Sequence, residues 1–268
     1  MARWLYPSSG RLLALACVIL AAIALPAPGI ATATSPTETA ALDPPPVEAG
    51  PLRYRGAWGG LHVADVTLTL RGDDEAYQGD LDIATRGLLG WAFEWVGVLH
   101  SRGELTADAG LRPQSSTRRF TQSDDSGAVI IEYDATGLAQ GFEDGQPQDG
   151  VAPDLRRGTV DPLAALLALR RHVQNGRQGM VSVPVYDGKR RLDLVASIEP
   201  PRLTRVADSE RRVVPVRADI TPVAGFKPSQ ARGWARSHLG VLFSADATAV
   251  PVRIQVESPV GTAVLTLR

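Results

Sequence analysis

Short stretches in which polar and apolar residues alternate recur about every ten residues through most of this 268-residue chain, separated by Gly, Asp and Pro. A strand sends successive side chains to opposite faces, so this alternation describes half-buried strands rather than helices. Residues 61–70 alternate with scarcely a fault after Gly59-Gly60, and Gly72-Asp73-Asp74 then turns the chain into residues 76–85. Further runs cover 98–105, 115–122, 128–133, 180–186, 190–198, 213–220, 241–245, 252–257 and 262–267. Asp187-Gly188 between two of them is a tight hairpin signal, since both residues tolerate positive φ. Gaps this short join antiparallel neighbours, and a single sheet of about ten strands curls. The expected fold is mainly β, an antiparallel meander curled into a barrel or half-barrel, with one inserted α-helix.

That helix has well-marked ends. Asp161 can cap it, Pro162 fits its first position, and Asn175-Gly176 offers a left-handed stop. Leu163, Leu166, Leu167, Leu169 and Val173 cover most of its circumference, while Arg170, Arg171 and His172 collect near its C-terminal end, where cations are favoured. A helix apolar on most sides calls for burial. It is expected either to cross the curled sheet as core or to gate a cavity inside it.

The N-terminal region reads differently. Arg3 and Arg11 flank the start of an apolar run of 14 residues, 12–25, followed by the small-x-small site Ala31-Thr32-Ala33. The run is short for a bilayer core of roughly 30 Å. Residues 1–33 are therefore expected to be a signal peptide cleaved after Ala33, delivering the protein to the periplasm, near the membrane but not integral to it. Residues 34–50, with Pro36, Pro44, Pro45 and Pro46, read as an extended linker, and 51–268 as one domain. Cys17 is the only cysteine, so the mature chain can hold no disulfide, thiolate nucleophile or Cys-type zinc site. With 28 basic against 29 acidic residues, nothing attracts a nucleic acid.

Catalytic signatures are missing from the sequence. It has no Gly-x-Ser-x-Gly elbow, no His-Glu-x-x-His, no phosphate-binding glycine loop and no EF-hand loop. His62, His100, His172 and His238 fall on separate elements, and Ser101 beside His100 on a strand must face the other way. The reading is a non-enzyme with no catalytic residue, metal or cofactor.

The most informative apolar feature is 88–96, which places Trp91, Phe93 and Trp95 on one face if it is a strand. They either fill the core of the barrel or line the mouth of a cavity, and Trp234 offers a second contact of the same kind. With Leu163, Leu166 and Leu167 from the helix, these form the candidate ligand-binding set. The function this supports is binding of a lipid or other apolar or amphipathic molecule inside the curled sheet. The alternative is an assembly factor that docks an envelope protein through a sheet edge or the Trp91-to-Trp95 segment.

Several landmarks occur in a telling order. Tyr54 with Gly60, Gly110-Leu111-Arg112-Pro113, Asp161-Pro162-Leu163, Asp187-Gly188-Lys189-Arg190, residues 239–246, Pro251-Val252-Arg253-Ile254 and residues 261–267 resemble the exported bacterial domain of unknown function DUF3108 across most of 51–268. The resemblance implies secretion and a mostly β fold, and assigns no activity. Members often carry a cysteine in the strand preceding the last third; Val213-Val214-Pro215-Val216 has none here, so no role for that thiol carries over.

Overall fold

The computed structural model describes residues 49–72, 75–86, 95–106, 110–122 and 125–268. Eight strands come first: β1 (Ala49–Trp58), β2 (Leu61–Gly72), β3 (Ala76–Thr85), β4 (Trp95–Leu105), β5 (Leu111–Gln122), β6 (Asp125–Tyr133), β7 (Ala139–Glu143) and β8 (Gln146–Gln148). Helices α1 (Pro153–Arg156) and α2 (Pro162–Gln174) follow. The chain then forms β9 (Gly179–Tyr186), β10 (Arg191–Ile198), β11 (Arg202–Val206) and β12 (Ser209–Ala224), helix α3 (Pro228–Trp234), and β13 (His238–Ser244), β14 (Pro251–Ser258) and β15 (Gly261–Leu267).

All the described strands belong to one antiparallel sheet, ordered β8-β7-β6-β5-β4-β3-β2-β1-β15-β14-β13-β12-β10-β9, with β11 attached to β12 alone. The expected meander is present, and the first strand pairs with the last: Tyr54 lies opposite Leu267 and Ala57 opposite Val264. The ladder is not closed, because β8 and β9 are its ends and do not pair. The segment between α1 and α2 bridges them instead. Arg157 pairs with Leu138 just before β7, and Val160 pairs with Val185 in β9. Gly158 N donates to Gly137 O at 3.0 Å, Val160 N to Pro184 O at 2.8 Å, and Tyr186 N to Val160 O at 2.9 Å. A second contact crosses the same gap, where Lys189 in the β9–β10 loop pairs with Glu143 of β7. Beneath it Ile131, Ala139, Val151 and Tyr186 bury one another.

Four strands were not foreseen: β1, β7, β8 and β11. The inward positions of β1 and β7 include Gly56, Ala139 and Gly141, too small to register as alternation, and β8 has no apolar residue besides Pro147. β11 forms a hairpin with β12 and packs Val206 against Val213 and Val252 in a separate small cluster. The expectation of a single helix also needs correction: three helical segments are described, although α1 and α3 span only four and seven residues. The β9–β10 connection is a four-residue loop rather than a two-residue turn. Only Gly188 has positive φ, while the Asp187 carboxylate accepts from Lys189 N at 2.9 Å and Arg190 N at 2.7 Å. An Asx turn thus replaces the second left-handed residue.

The core forms on one face of the sheet. Alternate residues of β2 (Ala64, Val66, Leu68, Leu70), β10 (Leu192, Leu194, Ala196, Ile198) and β12 (Val216, Ala218, Ile220) join the buried residues of α2 in a single cluster. The helix starts and stops where local chemistry dictates: Asp161 Oδ1 accepts from Leu163 N at 3.0 Å and Ala164 N at 3.1 Å, and Gly176 beyond the last turn has φ 66°. Leu163 sits against Gly79 of β3 so closely that a Cβ there would lie 3.0 Å from its Cδ2. Each fully buried leucine of this helix contributes about 1.5–3 kcal/mol. Arg170 turns inward and ties the helix to the β13–β14 loop, donating to Thr248 O from Nε at 3.0 Å and Nη2 at 2.7 Å.

Candidate functional site

The inner face of β3 to β6 carries a row of hydroxyls. Ser101 of β4 lies opposite Ser116 of β5 and opposite Gly79 of β3, and Tyr77 is two residues from Gly79 on the same face. Ser116 in turn lies opposite Ile131 of β6, two residues from Tyr133. Ser101 and Ser116 reach the capping residue of α2, while Tyr133 packs against Ile131, Ala139, Val151 and Tyr186. Ser101 Oγ donates to Asp161 Oδ2 at 2.7 Å, and Ser116 also hydrogen-bonds to this carboxyl.

Asp161 is 0% exposed. Burial pushes its carboxyl above the usual aspartate range, against the opposing effects of Ser101, the Ala164 and Leu163 amides and Ser116. Tyr77 and Tyr133 are also pushed up, first by burial and then by the Asp161 charge; Tyr133 feels Tyr77 as well. The Tyr133 hydroxyl is enclosed without a hydrogen-bond partner among the described residues, while the Tyr77 hydroxyl lies beside Ser101, which opposes the rise in its pKa.

A second zone lies at the end of the sheet where β1 turns into β2. The strand registers place the start of β4 and the α3 connection between β12 and β13 at that end, while the α2 C-terminus reaches the opposite end at Thr248. Trp95 opens β4 with its backbone held by Thr85: Trp95 N donates to Thr85 Oγ1 at 3.0 Å, and Thr85 Oγ1 donates to Trp95 O at 3.2 Å. Its ring lies across Gly97, where a Cβ would come within 2.2 Å of it. Trp234 packs edge-on against Phe226, ring centroids 5.8 Å apart, and the Arg190 guanidinium sits 5.7 Å from the Phe226 centroid.

Of the residues proposed from sequence, Trp95, Leu163, Leu167 and Trp234 are buried in the one main cluster, with Leu166 partly buried against it. Trp91 and Phe93 lie outside the described residues. The structure thus places two tryptophans far apart in sequence at one end of the sheet, in the same buried cluster as Leu163 and Leu167. The Asp161 group was missed beyond the capping role of the aspartate. The available signal was parity, since Ser101 falls on the same face as Trp95, Gly97 and Leu99, an apolar face on which a hydroxyl needs a partner.

The histidines stand elsewhere. His100 Nδ1 lies 2.7 Å from Asp80, His238 Nδ1 2.7 Å from Asp219, and His62 Nε2 3.1 Å from Asp65, on different strands. Among the described residues no three His, Cys, Asp or Glu side chains gather to hold a metal. The interior cluster offers hydrogen-bond donors and one shielded carboxyl, a set suited to recognising a polar group.

The family described as "Protein of unknown function (DUF3108)" matches residues 53–268, most of the chain. The chain belongs to the DUF3108 family. No curated protein matches it. Among solved structures, this DUF3108 chain is similar to a β-barrel-like protein of the domain of unknown function DUF1849 from Brucella abortus, with 10% identity and a TM-score of 0.52 over 83% of this chain and 97% of that one. At that identity the likeness shows the fold alone. A DUF1089 family protein from Pseudomonas aeruginosa aligns with 12% identity and a TM-score of 0.28 over 82% of this chain and 95% of that one.

Proposed function

We propose that this DUF3108 protein is an exported, non-enzymatic binder of an amphipathic molecule, its open sheet wrapped around α2 as a split barrel. The observation that carries this reading is the composition of the inner face: one apolar cluster drawn from both arms of the sheet, interrupted by a compact hydroxyl–carboxyl group. Ligand sites are built this way, apolar walls with a few placed polar groups that fix orientation. Trp95 and Trp234, both buried at one end of the sheet, add two broad apolar rings to that inner wall. Export rests on the leader pattern of residues 1–33, and periplasmic residence would place the binder beside a lipid supply. Native mass spectrometry of the protein purified from its own envelope tests the function. A retained lipid is expected, whereas a lipid-free chain co-purifying with a stoichiometric protein partner would replace this reading with that of an assembly factor.

A further inference from the structure

We propose that the end of the sheet where β1 turns into β2 docks on an anionic bilayer surface, its exposed apolar tips entering the headgroup layer while the α3 connection meets lipid phosphates. Seven large apolar side chains are exposed among the described residues, and four of them gather at this end: Leu61 (73%), Val260 (58%), Val96 and Val223. Two stand on neighbouring hairpin tips. Trp58 pairs with Leu61 across the first, Ser258 with Gly261 across the second, and Gly59 N donates to Thr262 O at 3.1 Å between them. The half-buried Trp58 links the two, its ring so close to Gly261 that a Cβ there would lie 2.9 Å from Nε1. Val96 follows at the start of β4, and Val223 at the end of β12, just before the α3 connection.

That connection, residues 225–237, carries Lys227, Arg232 and Arg236 and no acidic residue. None of the three forms an ion pair among the described residues, and Lys227 and Arg232 are exposed. Asp65, Asp219 and Glu257 on the adjoining strands are already engaged, with His62 and Arg86, with His238 and with Gln255. The arrangement selects the occupant. Apolar tips on separate strand connections suit a fluid surface that closes around each of them, and spare cations beside them suit lipid phosphates. A second copy of the chain in a two-fold contact would bring the same spare cations against one another. This docking is independent of whether the interior holds a lipid.

The test is flotation of the mature chain with vesicles of phosphatidylcholine, alone or mixed with phosphatidylglycerol. Binding to the mixed vesicles is expected to be about tenfold tighter than to phosphatidylcholine alone, and to weaken as salt is raised. Lys227→Gln/Arg232→Gln should lower affinity for the mixed vesicles about tenfold, and Leu61→Ser/Val260→Ser by a similar factor. Leu203→Ser removes an equally exposed leucine from β11, which pairs with the far end of β12, and should bind like the wild type. A wild-type protein that ignores the mixed vesicles, or equal binding by the wild type and both double variants, would overturn the docking surface. So would a dimer in sedimentation equilibrium that ignores vesicles and is split by Leu61→Ser/Val260→Ser, which would assign the tips to a subunit interface. Should a variant not fold by circular dichroism, the wild-type dependence on phosphatidylglycerol and salt decides.

Discussion

His100 and Ser101 are neighbours in β4, and each meets an aspartate, on opposite sides of the same sheet. Outside, His100 pairs with Asp80 of the adjacent strand, which also receives Arg71 Nη1 at 2.7 Å and Gln78 Nε2 at 3.0 Å. Inside, Ser101 meets Asp161, which has no basic side chain hydrogen-bonded to it among the described residues. The environments pull the carboxyls in opposite directions. Partial burial would raise Asp80, but its hydrogen bonds from His100 and Gln78 and the charges of His100 and Arg71 hold it below the usual range. For Asp161 burial prevails over every hydrogen bond it receives. The outer pair is interchangeable surface chemistry, while the inner one links helix, sheet and polar cluster.

Substitution should expose that asymmetry. The largest effect is expected for Asp161→Ala, which removes the helix cap and strands the Ser101 and Ser116 hydroxyls, costing about 4 kcal/mol in urea unfolding; a loss below about 1 kcal/mol would make the inner group as dispensable as the outer. Next, Leu163→Ala should cost about 3 kcal/mol, because Gly79 already touches this side chain and the strand cannot follow it inward. Truncating Leu203, 70% exposed on β11, should change stability by under about 0.5 kcal/mol. The outer pair should matter nearly as little: His100→Ala or Asp80→Asn should cost about 0.2–1 kcal/mol, with the cost shrinking in high salt.

Acidity sharpens the same contrast. The folded-state pKa of Asp161 is raised, so its contribution to stability is fully present below the unfolded value of about 3.9 and is lost as pH rises through the folded value. Asp80 is lowered, so its contribution is present above the unfolded value and is lost as pH falls through the folded one. Asp161→Asn, which keeps a capping oxygen, should therefore gain stability relative to wild type as pH rises from about 3 to 8, whereas Asp80→Asn should gain as pH falls. Melting temperatures of the three proteins across that range decide it; parallel curves would mean that neither carboxyl is set by its side of the sheet.

Much of this architecture was legible because it rests on local rules. In β2 every inward residue from Ala64 to Leu70 is apolar, so alternation announced the strand. The limits of α2 followed from Asp161, Pro162 and Asn175-Gly176, whose capping involves only adjacent backbone. Where the inward positions are Gly56, Ala139 and Gly141, periodicity has nothing to report, and β1 and β7 passed unseen. The polar cluster lay beyond local reading for another reason: Ser101 and Asp161 are 60 residues apart, and only the register of four strands brings their chemistry together. The grouping of Trp95 with Trp234 likewise depends on which end of the sheet each connection occupies.

The reading of the molecule as a binder depends on the two arms of the sheet meeting around α2, and Lys189 offers a direct measurement of that. It is one of only two lysines in the chain, the other being Lys227, and it pairs with Glu143 across the gap between the sheet ends. Carbodiimide treatment of the mature protein, followed by peptide mass spectrometry, should yield an amide joining Lys189 to Glu143 within a single chain. Recovery of Lys189 unmodified, or joined to carboxylates elsewhere while Glu143 stays free, would contradict a wrapped sheet and remove the enclosed interior on which ligand binding depends.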